Sequence, residues 1–469
     1  MSNQTIQNHD AARINATHSA LVGQWRRAWN YYYGRHKKQL AVGKRQKRDF
    51  NLMINYVKLA IDVKTSFLFG EPSKSIEFTT DAGKQDDTPA ELWLRNVWEY
   101  NRKLTKLRKL AVNGHICGTA YLMLKAPRLG QAFPEIIVLD PEFVKPEWDI
   151  DDIDRLDRVV IEYENARPDG TLWTDRKVIE QNPDGAGWVI IQMERSVDSE
   201  DDDFQQVGDV ILWPYSWCPV HHCQNIPDPN VFFGLSDVER DLMDLNDAIN
   251  FTVSNINKIL FFHAHPKTWG KGVSAEQLTV NADGTILLNS KDGMLANLEM
   301  SGDLQSSLGF YETLRGAFKQ MSSVPEVALG GIDDPARVSS LALKVLYGPL
   351  LMQTGQKRVT YGEMLEEVCR HLLEMGNPEW AGTRVSIEWP YVLPEDPETE
   401  ARTLVLDQQL GLSKATAMQK RGYKATVEKE NREDEAAENV SIGDQLLKDF
   451  DAGGFGPELD PDETVDGAE

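Results

Sequence analysis

Apolar residues recur at alternating steps of three and four at Val238, Leu242, Leu245, Ile249, Val253, Ile256 and Leu260. That spacing draws one stripe along an α-helix, and Asp241, Asp244, Asn246, Asp247, Asn250 and Asn257 cover its other faces. Ser236 with Glu239 three residues on reads as a capping box, so the helix is predicted to start at Ser236 and run to about residue 262. A second stripe passes through Leu304, Leu308, Tyr311, Leu314, Phe318 and Met321. Between the two rods, residues 263–302 carry Pro266, Gly270, Gly272, Gly284 and Gly293 around a strand-like stretch at 285–288. The pattern predicts an antiparallel helical hairpin with a small α/β head at its tip.

Upstream, the first hundred or so residues read as helical, with a periodic segment over 52–69 and a single helix over 90–112. From 120 to 213 the pattern changes to short strands at 121–124, 135–139, 159–163, 171–173, 187–192 and 210–213. Pro168-Asp169-Gly170 and Pro183-Asp184-Gly185 mark turns between them, which gives a mostly antiparallel sheet. Downstream, residues 324–335 hold too many breakers for a regular element, and a long helix follows over 338–375. Gly348 and Pro349 lie inside it, and a proline there removes a hydrogen bond and kinks the helix. A strand over 384–389 and helices over 398–410 and from Ser413 complete an α+β, mainly helical chain. The last fifteen or so residues, acidic and rich in Gly and Pro, read as a disordered tail.

Composition narrows the function. The 469 residues are 41% hydrophobic and 26% charged, which is ordinary for a globular protein of several domains. No apolar run is long enough to span a bilayer, so no membrane partner is expected. Four cysteines, Cys117, Cys218, Cys223 and Cys369, suggest reduced thiols. Cys218, His221, His222 and Cys223 lie within six consecutive residues, too tight for two converging ligand pairs, and read as packing in a Trp/Pro-rich turn, so no metal is expected. His263 and His265 read as a solvated helix terminus. Fifty Lys and Arg against 73 Asp and Glu leave a net charge of −23. That excludes a conventional sequence-specific DNA binder, though not a pore through which DNA slides. The basic run Arg35, Lys37, Lys38, Lys44, Arg45, Lys47 and Arg48, after Trp25, Trp29 and Tyr31 to Tyr33, reads as a solvated helix end and linker sooner than a nucleic-acid site. There is no GxxxxGK[ST] loop, GxSxG elbow, HExxH helix or GxGxxG turn, so neither a nucleotide cofactor nor a catalytic residue is expected.

Four segments, in order, carry a resemblance. They are Asn51 to Lys58 continuing through Ser66 to Pro72; Gly234-Leu235-Ser236-Asp237 leading to Asn246, Ala248 and Asn250; Val324-Pro325-Glu326 followed by Ser339 to Lys344; and Gly411 to Thr416. Together they resemble the portal proteins of tailed bacteriophages of the siphophage type. The resemblance implies a ring of about twelve subunits with a flexible arm (1–20), a wing (21–235) and a stem of two helices (236–262 and 303–322). It further implies a clip (263–302), a tunnel loop (323–337), a kinked channel helix (338–376), a wing return strand (377–394), a crown (395–450) and a tail (451–469).

The same resemblance implies a head-to-tail connector at a capsid vertex, assembled in the host cytoplasm. Double-stranded DNA enters it under a separate terminase motor and later leaves. Its partners would be the terminase large subunit, a head-completion or adaptor protein, and the major capsid and scaffolding proteins. The tunnel loop would comprise Val324, Pro325, Glu326, Val327, Ala328, Leu329, Gly330 and Gly331; Arg337, Lys344, Lys357 and Arg358 are the candidate phosphate contacts. His263, His265, Lys267, Trp269 and Lys271 would belong to the surface that docks motor and adaptor. Two other classes compete: a packaging ATPase-nuclease or translocase, disfavoured by the missing phosphate loop, and a scaffolding protein that forms no ring.

Overall fold

The computed structural model describes residues 3–37, 39–40, 49–72, 74–80, 88–149, 151–153, 155–183, 185–197, 203–229, 231–264, 267–272, 278–280, 286–288, 292–298, 304–329, 340–390, 393 and isolated positions from 402 to 433. They fall into two units, one of residues 1–81 and 89–393, the other of residues 82–88 and 394–469.

The first unit opens with α1 (Asn3–Tyr32), so the segment expected as a flexible arm is helical from Asn3. α2 (Tyr56–Phe69) is capped by Asn55, whose side chain accepts the Lys58 N–H. α3 (Pro89–Tyr100) and α4 (Lys103–Cys117) divide what hydrophobic spacing predicts as one helix. Asn101 causes the break. Its amide donates to the carbonyls of Val97 and Pro134, its oxygen accepts the Ile136 N–H at 2.8 Å, and Arg102 turns to φ 58. Those bonds satisfy peptide groups at the start of a strand that a continuing helix would leave unpaired.

The strands pair antiparallel throughout. β1 (Gly70–Glu71) pairs with β2 (Lys74–Ser75), and β3 (Glu77–Thr79) pairs with β17 (Ser386–Glu388), joining chain segments some three hundred residues apart. β4 (Thr119–Lys125), almost wholly buried, lies between β5 (Glu135–Leu139) and β12 (Val220–Gln224). A larger sheet follows the order β10 (Gln205–Gln206), β9 (Trp188–Ser196), β8 (Leu172–Gln181), β7 (Leu156–Ala166), β6 (Val144–Trp148), with β11 (Ile211–Trp213) also on β9. β12 corrects the reading of residues 220–223 as part of a turn: its alternation places His221 and Cys223 on one face and His222 on the other, while Cys218 lies before the strand.

α5 (Arg240–Ala264) and α6 (Leu304–Ser322) form the two rods and pack on one another. α5 starts four residues later than the capping-box reading predicts. The Ser236 hydroxyl donates toward the carbonyls of His115 and Ile116, at 3.1 and 2.7 Å, and its oxygen accepts the Val238 N–H at 2.9 Å, so Ser236 closes a turn before α5 and does not cap the helix at Glu239. Between the rods, β13 (Lys267–Lys271) pairs with β16 (Met294–Leu298) and β14 (Leu278–Val280) with β15 (Ile286–Leu288). The described residues between β13 and β16 are strands and the bends beside them.

After a 3-10 turn (Glu326–Leu329), α7 (Ser340–Leu346) leads to α8 (Gly348–Gly376). The Tyr347 N–H bonds to Leu343 O and the Leu351 N–H to Tyr347 O, so the helical path bridges the interruption, while Pro349 in the first turn of α8 has no N–H to give. Tyr361, Leu365, Val368, Cys369, Leu372 and Leu373 are fully buried. Burying each such aliphatic side chain contributes about 1.5–3 kcal/mol, which makes α8 the spine of this unit's core.

In the second unit, helical residues are described at 402, 405–407, 409, 414, 417, 428 and 431–433. Gly411 turns at φ 106, and the Ala417 N–H bonds to Ser413 O, as a helix restarting at Ser413 requires.

Candidate functional site

Two sets of buried polar groups tie α8, α5 and the chain before α2 into one body. The first is a ladder. Asn246, Asn250 and Ser254, four residues apart on α5, have no solvent exposure. Their side-chain oxygens accept the N–H groups of Tyr56 (3.1 Å), Ile54 (2.8 Å) and Leu52 (2.9 Å). Asn257 donates to Phe50 O at 3.0 Å. Four residues of helix rise about 6.0 Å and two residues of extended chain about 6.6 Å, so the row keeps register with the strand-like segment. Asn246, Asn250 and Asn257 are thus not a solvated face, as their spacing suggested. They replace the sheet neighbour that residues 50–56 lack.

The second is an ionic junction. Asp237, just before α5, accepts Lys64 Nζ of α2 on Oδ1 at 2.7 Å and Lys357 Nζ of α8 on Oδ2. His115 Nδ1 of α4 stands 2.9 Å from the same Oδ2, and Asn225 after β12 donates to it at 3.0 Å. The Tyr361 hydroxyl, one turn beyond Lys357, donates to Asn225 Oδ1 at 3.3 Å. All these side chains are buried. Burial alone would raise the Asp237 carboxyl, but the adjacent Lys357 and Lys64 ammonium groups override it and hold it well below the usual carboxylate range. Burial pushes Lys357 down to about 8 against the opposing pull of Asp237, and burial with the Lys357 charge pushes His115 down to about 4. At neutral pH His115 is therefore uncharged, with Nδ1 within hydrogen-bonding distance of both Asp237 Oδ2 (2.9 Å) and Lys357 Nζ (3.0 Å).

Close backbone approach shapes the junction. Gly118, φ 78, ends α4, and a Cβ there would lie 2.3 Å from Gly234 O. A Cβ on Gly114 would lie 1.7 Å from the Tyr361 hydroxyl oxygen. Gly114→Ala is expected to lower stability by about 1–3 kcal/mol by overpacking against Tyr361. Gly23→Ala, on an exposed part of α1 with open space around the new methyl, should instead raise it by about 0.5–1 kcal/mol. Denaturant midpoints of the two variants test the contrast.

The end of α6 and the 3-10 turn form a second region. Ser323 leaves the helix at φ 57, and Val324 is buried behind it. Glu326 bridges back to Arg315 and Lys319 of α6, each at 2.8 Å; the Lys319 hydrogen bond is the larger cause of its lowered carboxyl pKa. Val327 and Ala328 are half-buried and line, with Tyr347, a cleft of about 1340 Å³ whose other wall carries Tyr33, Arg35, Lys58, Arg108 and Lys109.

The residues singled out from sequence distribute as follows. Val324, Pro325, Glu326, Val327 and Ala328 lie on this turn and Leu329 closes it; Gly330, Gly331 and Arg337 lie outside the described residues. Gly348 and Pro349 open α8. Lys344 is exposed on α7. Lys357 is corrected: its charge is spent on Asp237 inside the core, out of reach of a phosphate. Arg358 is corrected as well. Its guanidinium donates to Phe67 O (3.0 Å) and Pro390 O (2.9 Å) and lies over the Trp389 ring, which makes it a clasp between backbone segments. His263 is in the last turn of α5, Lys267 and Lys271 sit on β13, Trp269 is exposed there, and His265 lies outside the described residues. The junction residues Lys64, His115, Asn225, Asp237 and Tyr361 carry no local sequence signal of their function. The one hint was that Asp237 lies in a resemblance-bearing segment.

Comparison with known proteins bears on this architecture. Residues 11–439 match the family model described as phage portal protein, SPP1 Gp6-like. The chain belongs to that portal protein family. A chain from the virion of a native gene transfer agent particle is similar in structure, with a TM-score of 0.41 and 15% identity over 78% of this chain and 89% of that one. No curated protein matches. This portal protein is a structural component of a phage virion, of a family that is structural and not enzymatic. Among its described residues, no helix is long and apolar enough to cross a membrane.

Proposed function

We propose that about twelve copies of the chain close into a ring whose axial channel passes double-stranded DNA, inward under a separate terminase motor and outward at ejection. In this assignment residues 21–235, with β17, form the wing, α5 and α6 the stem, and residues 263–302 the clip that docks motor and adaptor. Residues 323–337 are the tunnel loop, α7 and α8 the channel spine, and residues 395–450 the crown.

One observation carries the assignment. Val345, Met352 and Val359 recur every seven residues along α7 and α8 and are 71%, 70% and 59% exposed. Seven residues bring a helix back to the same face within about 20°, so the three side chains form an apolar strip on the outer side of the spine. Phe251 of α5 and Phe310 of α6 are exposed too, 48% and 56%. A soluble chain that leaves a strip of this kind bare has an interaction surface, and a ring of identical copies covers it on every subunit.

For DNA, the net charge of −23 favours passage over grip, since like charge keeps phosphates from settling on the wall. Lys344 and Arg337 remain the candidates for transient phosphate contact, while Lys357 and Arg358 no longer do. The Glu326 ion pairs with Arg315 and Lys319 fix the near side of the tunnel loop to α6. Deleting residues 327–331 is therefore expected to preserve ring formation, seen by electron microscopy, and to abolish or strongly reduce DNA packaging in particles. Full packaging by that variant removes the loop from the mechanism.

A further inference from the structure

We propose that His221 of β12 with Glu367 and His371 of α8 forms a binding site for a zinc-class divalent cation. His221 Nε2 and His371 Nδ1 face each other at 2.7 Å. One ligand atom from each of the three residues falls in a cluster no more than 4.8 Å across. Glu367 and His371 are four residues apart, one turn of α8, so their side chains project from the same face. Across from them, the alternation of β12 places His221 on the α8 side and sends His222 the other way, where its Nε2 meets Thr119 Oγ1 at 2.6 Å and its ring stacks on Phe232. The His371 ring is held flat against Trp217, centroids 4.0 Å apart, and Trp217 Nε1 donates to Glu374 at 2.9 Å. One ligand is therefore oriented before any metal arrives.

Two imidazoles and a carboxylate are the donor set of an open zinc site, with the fourth position left to water. His221 is buried and Glu367 exposed, so the cation enters from the solvent side through the carboxylate. Tetrahedral zinc at 2.0–2.1 Å from both nitrogens needs them about 3.3 Å apart. Binding thus parts the rings by about 0.6 Å from their present 2.7 Å and replaces the N–H···N hydrogen bond between them. Nδ1 of His221 is buried without a hydrogen-bond partner. The site lacks the second-shell acceptor that usually fixes a ligating histidine, an omission that costs about 10–100-fold in affinity. It is accordingly an exchangeable staple between α8 and the β4–β12 sheet, not a closed structural zinc centre. Nothing in this depends on ring formation or on passage of DNA.

The test uses untagged full-length protein, stripped with EDTA and titrated with Zn²⁺ and separately with Co²⁺. The expected result is one Zn²⁺ per chain, a raised thermal midpoint with Zn²⁺ but not Mg²⁺, and visible Co²⁺ bands of tetrahedral intensity. Glu367→Gln changes an exposed side chain and should leave the fold intact while weakening Zn²⁺ binding at least about tenfold; His371→Gln should abolish the Co²⁺ bands. No stoichiometric binding of either ion by the unmodified protein, or the same affinity in Glu367→Gln, overturns the proposal.

Discussion

Asp237→Ala is expected to cost this portal protein about 3–5 kcal/mol of folding stability. Removing the carboxylate leaves Lys64 and Lys357, 4% and 3% exposed at their side chains, facing one another with no counter-charge, and strips His115 and Asn225 of their shared acceptor. Breaking one partner of a buried ion cluster costs far more than the intact cluster contributes, because desolvation of the remaining charges is no longer offset. Urea unfolding of the variant is the measurement; a loss below 1 kcal/mol would show that the junction is not a structural anchor.

The same cluster predicts a pH dependence of unusual sign. Lys357 titrates near 8 in the folded chain and near its ordinary 10.5 unfolded, so between those values the unfolded chain binds more protons and stability rises with pH. Its penalty is fully present below pH 8 and is relieved as pH climbs through that value. From pH 7 to 9 the gain from this group is about 1 kcal/mol, and Lys357→Met should remove that gain. On the acid side, His115 is held neutral with a folded value of about 4 against 6.5 unfolded, so its contribution is lost as pH falls from 6.5 toward 4.

The second large effect is on assembly. Met352→Glu with Val359→Glu places two charges on the apolar strip of α8, where the side chains they replace are 70% and 59% exposed in the single chain. Because neither residue supports the subunit core, circular dichroism and unfolding midpoint should stay near those of the unmodified chain. At the interface, each substitution forfeits about 1.5–3 kcal/mol of apolar burial and adds the cost of burying a carboxylate. Size-exclusion chromatography should show rings replaced by monomers. Rings that persist would place the interface on another face.

These effects divide along what a local pattern can encode. The rods and the strands β7, β8, β9 and β11 of the large sheet were legible because periodicities of 3.6 and 2 are local properties, whereas β6 and β10 of the same sheet were not. The family resemblance was also legible, since it is carried by short ordered segments. Buried polar connections were not. Asn246 and Asn250 satisfy a helix-face pattern whether they meet water or the backbone of Ile54 and Tyr56, nearly two hundred residues away. Lys357 satisfies the pattern of a channel-facing cation equally well, and only the position of Asp237, 120 residues earlier, decides otherwise. Ser236 and Glu239 match a capping box, yet the Ser236 oxygen accepts the N–H of Val238, two residues on, while its hydroxyl donates to the end of α4. At residues 220–224, one strand of a buried sheet was hidden because Pro219 and the tryptophans before it made the segment read as a turn.

Closure of the ring is the claim on which the channel, the loop and the strip all rest. Negative-stain electron microscopy of the purified full-length chain measures it directly: the account predicts end-on views of a rotationally symmetric annulus with a hole on its axis. A population that stays monomeric at high concentration and at every salt concentration would contradict it.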